Sequence, residues 1–286
     1  MAYSQSFGMH WIHHPAPNAS DQIWFRRTYT LPHRPTKAVL TVASEGRYII
    51  YVNGYVVSND LFSSNPEGII AMREYNIKGL LKAGQNVVGV WYAPTQETHR
   101  QLSATLTGSY ENGATFYYET DGTWLCRKAN ARMTANGGEE IDATRYVPAW
   151  NQERMQLLEW QAAERWKDTT WPMVSFVPMS KTAFHAHQVL RRPKRSYYGN
   201  RVIYDYGQQV NGWVRVTLRR MKRGDVVYVN GLRYVCSGQR EEQACRRFTT
   251  GPAGTAIILL PAGRNRDNIT RVEAISISDT ERIQMK

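Results

Sequence analysis

Tyr204-Asp205-Tyr206-Gly207-Gln208-Gln209-Val210-Asn211-Gly212-Trp213-Val214-Arg215-Val216 places an acid and two amides just ahead of a strand of alternating character anchored by Trp213. Asp205 and Gln208 read there as groups that fix the start of the strand by bonding backbone. The same style recurs between Glu45 and Trp91. There the run 47–52 leads into Asn53-Gly54 and the run 55–58 leads out. Asn-Gly between two such runs is the strongest short-range hairpin signal, because both turn positions need positive φ.

Working outward, strand signals dominate. Residues 23–30 and 38–42 are short and rich in β-branched or aromatic side chains, with Pro32 and Pro35 between them. Residues 87–92, 102–107 and 115–119 follow, the last two joined by a turn at Glu111-Asn112-Gly113. Beyond residue 201 come 214–218, 225–229, a second Asn-Gly turn at Asn230-Gly231, 232–236 and 256–260. This pattern predicts an all-β chain of two β-sandwich domains in tandem, of jelly-roll or galactose-binding-like type. The first domain is expected over 1–180 and the second over 201–286. The polar, basic stretch 181–200, with Pro193, is expected to link them. Residues 152–168 carry Met155, Leu158, Ala162 and Trp166 at near-helical spacing. They predict one short helix or an irregular excursion.

A chain of 286 residues is long enough for two cores. Nine Trp and seventeen Tyr suit pleated surfaces and supply flat platforms for ligands. No apolar run is long enough to span a membrane as a helix. The first ten residues have no charged and apolar leader pattern. The protein is therefore expected to stay inside the cell, or to be extracytoplasmic if a signal peptide was removed. The net charge of +12 includes ten Lys or Arg between 191 and 223 against Asp205. No nucleic-acid module accompanies them, so a solvated basic surface is favoured over a nucleic-acid site. Cys126, Cys236 and Cys245 form no CxxC pair, and a bridge from Cys236 to Cys245 is sterically open if 236–245 is a hairpin.

These residues resemble the accessory β-domains of bacterial α-L-rhamnosidases. The resemblance rests on Trp11-Ile12, Phe25-Arg26-Arg27, Tyr51-Val52-Asn53-Gly54 and Tyr75-Asn76-Ile77. It continues through 80–86, Asp121–Trp124 and the Gly138–Thr144 segment to the 204–213 run, in order along most of the chain. The chain departs from the family pattern at Ile141, Thr144 and Ala149. The resemblance implies a non-catalytic, carbohydrate-binding front half. It implies a rhamnose-containing glycan as the expected partner, with the catalytic barrel following Lys286 or belonging to a partner protein. The alternatives are a glycoside hydrolase whose catalytic domain lies elsewhere, or a structural or adhesion module.

The resemblance also points to calcium-assisted rhamnose binding in the first sandwich. Asn59 and Asp60 are then the candidate calcium and sugar ligands, with Asn136, Glu140, Asp142 and Trp150 as further sugar contacts. Against this, Asn59-Asp60 also reads as a turn and 136–142 as a solvated acidic loop. Glu139, Glu140 and Asp142 crowd one segment, whereas a glycosidase acid/base pair faces across a cleft. His10, His13 and His14, and His185 with His187, lack a local acid or thiolate that would complete a metal site. Trp91, Tyr92, Trp124 and Trp150 suit core packing as well as platforms. No nucleophile elbow and no phosphate loop is present.

Overall fold

In Asp21–Leu31, the alternation of a β-strand buries Ile23, Phe25, Tyr29 and Leu31 on one face and Trp24 and Arg26 on the other. The protein is described here by a computed structural model covering residues 10–279 apart from 17, 67–68, 96–100, 156–157, 168–173 and 177–182. It divides into two compact units. One comprises 1–59, 63–128 and 148–182; the other comprises 60–62, 129–147 and 183–286.

In the first unit, Gly84–Ala93 pairs antiparallel with Asp21–Leu31 on one side and Arg47–Val52 on the other. A second sheet runs in the order Thr115–Glu119, Ser103–Ser109, Lys37–Ala43, Ile70–Asn76 and Val174–Phe176. Phe25, Ile50 and Tyr92 of the first sheet share one core with Leu40, Tyr75 and Leu106 of the second. That is a β-sandwich. Its Asn53-Gly54 turn has φ of 53° and 88°, the left-handed pair that the sequence predicts.

The segment 152–168 takes the irregular form; no helix is present among its described residues. Gln161–Ala162 and Glu164–Arg165 are short strands, paired with Leu125-Cys126 and with Ile12-His13. Leu158, one of the residues whose spacing suggests a helix, is 73% exposed. The other large side chains are placed one by one as the chain runs extended. Met155 meets the Arg26 guanidinium at 3.5 Å, which also lies over the Trp160 ring, while Trp166 packs beside Trp11. Trp150, just ahead, stacks on Trp24 at 5.3 Å and meets Trp91 and Tyr51 edge-on.

In the second unit, Glu139–Asp142 runs parallel to Leu232–Val235. The sheet continues antiparallel through Val226–Val229, Thr255–Leu259, Arg201–Asp205 and Lys194–Tyr198. A further sheet sets Ala183–Leu190, Ile269–Ser278, Asn211–Arg219 and Glu241–Ala244 side by side. The expected linker is therefore strand over much of its length, because backbone pairing does not require apolar side chains. Phe62 stacks on Phe184 at 4.5 Å and lies near Trp213 and Phe248. Cys236 and Cys245 are free thiols, so the sterically open bridge is not made. Burial pushes both thiols up to about 12.

Glu139 is the polar centre of this unit. It is 0% exposed. One carboxylate oxygen accepts the N–H groups of Arg247, Phe248 and Thr249 and the Thr249 hydroxyl, at 2.8–3.0 Å. Arg246 bonds the carbonyls of Asn230 and Thr250. Next to Glu139, a Cβ on Gly138 would lie 2.1 Å from the Gly231 carbonyl oxygen, so only glycine lets the two segments approach so closely.

Two substitutions test this packing by urea denaturation. Glu139→Ala strands three buried N–H groups and should destabilise the second unit by about 3–5 kcal/mol, while Glu139→Gln, which keeps an acceptor, should lose less than half of that. Equal losses in the two would show that the oxygen is not the holding group. Trp150→Ala removes a stacked core ring and should cost the first unit about 3–5 kcal/mol. A loss below about 1 kcal/mol would mark the ring as a surface group.

Candidate functional site

Asp60 opens a short segment in which Leu61 donates its N–H to the Phe184 carbonyl at 2.8 Å. That pairing places Asp60 beside the strand Ala183–Leu190, and His185 Nδ1 lies 3.2 Å from Asp60 Oδ1. The Asp60 side chain is 7% exposed. Its second oxygen, Oδ2, is buried and has no hydrogen-bond partner among the described residues. An unbonded buried carboxylate oxygen is costly unless something donates to it. Asn59, its neighbour in sequence, is exposed.

The fit to calcium is partial. Asp60 contributes one carboxylate with a free oxygen, and no cluster of three His, Cys, Asp or Glu side chains occurs among the described residues. A calcium ion there would draw most of its six to eight oxygens from amides, carbonyls and water.

The later loop is differently disposed. Asn136 is exposed in the turn in which Gly137 and Gly138 bond Thr134. Glu140 takes two hydrogen bonds from Arg132, at 2.7 and 3.0 Å. Asp142 Oδ1 caps the turn 143–145 by accepting the Thr144 N–H and hydroxyl at 2.9 and 2.6 Å. Glu140 and Asp142 therefore share an outward face, and each is already bonded within the protein. Trp150 is a correction: at 1% exposure, with one ring face covered by Trp24, it is a core residue and offers no platform to a sugar. Trp91, Tyr92 and Trp124 are buried as well.

The histidines near the start divide among packing roles. His14 is buried and meets Gln161 and the Ala16 N–H, and burial, aided by Lys128, lowers its pKa. His13 packs edge-on against Trp166, and His10 pairs with Glu119. His187 bonds the Ser278 hydroxyl at 2.7 Å.

In the 204–213 run, Asp205 accepts the Gly207 N–H at 2.9 Å, as its expected role in fixing backbone requires. Gln208 differs: its backbone carbonyl packs against Gly254, while its side chain is exposed and makes no bond among the described residues. Gln208, Gln209, Asn211, Pro252 and Thr255 line an open depression of about 450 Å³. Sequence reading passes over it because Pro252 and Thr255 join it only through the fold. It also misses His185 as the partner of Asp60, since the two are remote in sequence. A second depression, of about 590 Å³, is lined by Arg26, Arg27 and Glu153. Those charges are occupied: Arg26 bonds the Gln152 carbonyl, Arg27 pairs with Asp121 and Glu153 with Lys82.

Three solved structures share this architecture. The α-L-rhamnosidase from Dictyoglumus thermophilum matches with a TM-score of 0.81 and 15% identity, over 96% of this chain and 36% of its own. The Streptomyces avermitilis α-L-rhamnosidase complexed with L-rhamnose gives 0.77 and 18%, over 92% and 29%. The Aspergillus terreus α-L-rhamnosidase gives 0.77 and 17%, over 94% and 36%. The chain thus spans about a third of the length of the rhamnosidases it matches. No curated protein matches it in sequence. The family model described as the α-L-rhamnosidase N-terminal domain matches residues 33–188, more than half of the chain, and the protein belongs to that family.

Proposed function

We propose that this chain is a non-catalytic carbohydrate-binding module that serves a rhamnosidase-type catalytic domain, in the same polypeptide or in a partner. Its proposed ligand is a rhamnose-containing glycan, gripped through the Asn59-Asp60 loop with calcium as an accessory ion. One observation carries this reading: a nearly buried Asp60 carboxylate keeps an oxygen without a donor. A sugar hydroxyl or a cation would satisfy it. The Streptomyces avermitilis enzyme, which this fold resembles, was crystallised with L-rhamnose. The non-catalytic part of the proposal is supported by the acids of 139–142. Glu139 is buried and saturated with donors, Glu140 is paired with Arg132, and Asp142 caps a turn. None of these three is left over for proton transfer to a glycosidic oxygen.

Isothermal calorimetry tests the binding. L-Rhamnose should give saturable heat with the wild-type protein, and Asp60→Ala should weaken it by at least about tenfold, the worth of a hydrogen bond to a charged group. Chelation of calcium should weaken it similarly. Absence of heat with and without calcium would remove the sugar-binding reading. Turnover of an aryl rhamnoside by this chain alone would overturn the non-catalytic one.

A further inference from the structure

Residues 131–133 pair antiparallel with Glu139–Asp142 and add a seventh strand to this sheet of the second unit, whose solvent face carries one continuous row of directly paired residues. Arg132 lies opposite Glu140, Glu140 opposite Arg233, and Arg233 opposite Tyr228. Tyr228 lies opposite Leu259, Leu259 opposite Arg201, and Arg201 opposite Tyr198. Directly paired residues point to the same side of a sheet. Val202, Val227, Val229 and Ile258, the alternating neighbours, are buried on the opposite side. The row itself faces water: Tyr198 is 67% and Tyr228 47% exposed.

Read along the row, Arg233–Tyr228 and Arg201–Tyr198 repeat one cation–aromatic dyad in the same order. Three strand spacings separate the repeats, roughly 14 Å. The acids on this face are largely answered. Glu140 is held by Arg132, Asp142 by Thr144, and Asp205 bonds Gly207 while lying opposite Lys194. The cations are less so. Arg233 comes no nearer to Glu140 than 3.9 Å, and the Arg201 guanidinium makes no hydrogen bond or ion pair among the described residues. Two open tyrosine rings therefore alternate with two available guanidiniums, on a chain of net charge +12.

We propose that this sheet face binds an extended, carboxylate-bearing polysaccharide, with Tyr228 and Tyr198 stacking on sugar rings and Arg233 and Arg201 pairing with uronate carboxylates. Sugar rings present C–H faces that suit flat aromatic surfaces. A guanidinium is the side chain whose fork matches a carboxylate. The chemistry differs from that at Asp60, where an acceptor awaits a hydroxyl or a cation. A phosphate backbone would also be drawn to the charge, but the available cations are few and spaced by tyrosines. A polymer with many phosphates gains chiefly from dense cations.

The test is titration of polygalacturonate oligomers into the full chain at moderate salt, beside the same oligomers with carboxyls reduced to alcohols. Saturable binding of the uronate form is expected, with the reduced form at least roughly tenfold weaker. Arg201→Ala and Tyr228→Ala, both on exposed positions, should each weaken binding by roughly tenfold. Arg34→Ala, an exposed arginine of the first unit, and Asp60→Ala should leave it unchanged; the latter separates this outcome from that of the rhamnose proposal. Absence of saturable binding, an equal loss in Arg34→Ala, or single-stranded DNA binding as tightly as the uronate would each overturn the proposal.

Discussion

The carboxylate of Glu139 is the constraint from which the second unit takes its form. Taken out of water, it would be strongly unfavourable without donors, and three consecutive backbone N–H groups with the Thr249 hydroxyl supply them. The same arrangement ties 247–249 to the start of Glu139–Asp142. Arg246, immediately before, bonds the Asn230 and Thr250 carbonyls. The Asn230-Gly231 turn is thereby held next to Gly138, where the glycine contact fixes the parallel pairing of Glu139–Asp142 with Leu232–Val235. A shift of one residue in that pairing would turn Glu139 outward and Glu140 inward. The outward placement of Glu140 opposite Arg233, at one end of the outer row, follows from this one buried charge.

Much of the fold is legible in the sequence because its signals are local. Asn53-Gly54 and Asn230-Gly231 both take positive φ at each position, and the runs beside them pair as hairpins. The alternation in 21–31 maps onto the two faces of its strand. Legibility fails where a local pattern has two physical solutions. The apolar residues of 152–168 are spaced as on a helix, yet the chain runs irregularly past separate partners: Met155, Trp160 and Trp166 are half-buried, each in its own setting, while Leu158 and Ala162 stay exposed. In 181–200, polarity suggests a linker, but polar side chains do not prevent a backbone from pairing. Ala183–Leu190 and Lys194–Tyr198 are strands; Lys194 and Arg195 face solvent, while His185 and His187 meet Asp60 and Ser278.

The site was harder to see for a related reason. Asp60 is visible as an acid after a hairpin, but what makes it unusual is burial with an oxygen left over, and no sequence pattern encodes that. His185 reaches it only because Leu61 pairs with Phe184. Trp150 shows the converse error. A tryptophan after a proline-containing loop looks available to a sugar, and only the placement of Trp24 and Trp91 shows that its faces are covered. The outer row belongs to the same class, since its members come from seven strands and meet through register alone.

Glu139 and Glu140 show how strand geometry separates two identical side chains. Successive residues of a strand point to opposite sides, so one of the two had to enter the interior and the other to face out. The inward one is neutralised by backbone dipoles and holds the fold. The outward one is neutralised by Arg132, which leaves Arg233 at 3.9 Å and less engaged. A pair of adjacent acids is thus divided between structure and surface charge. The consequence for function is positional. The carboxylates of this segment are committed to order, whereas Asp60 keeps a bare oxygen and Arg201, Tyr198 and Tyr228 of the outer sheet face water. In the functions proposed above, such groups would hold and orient a saccharide.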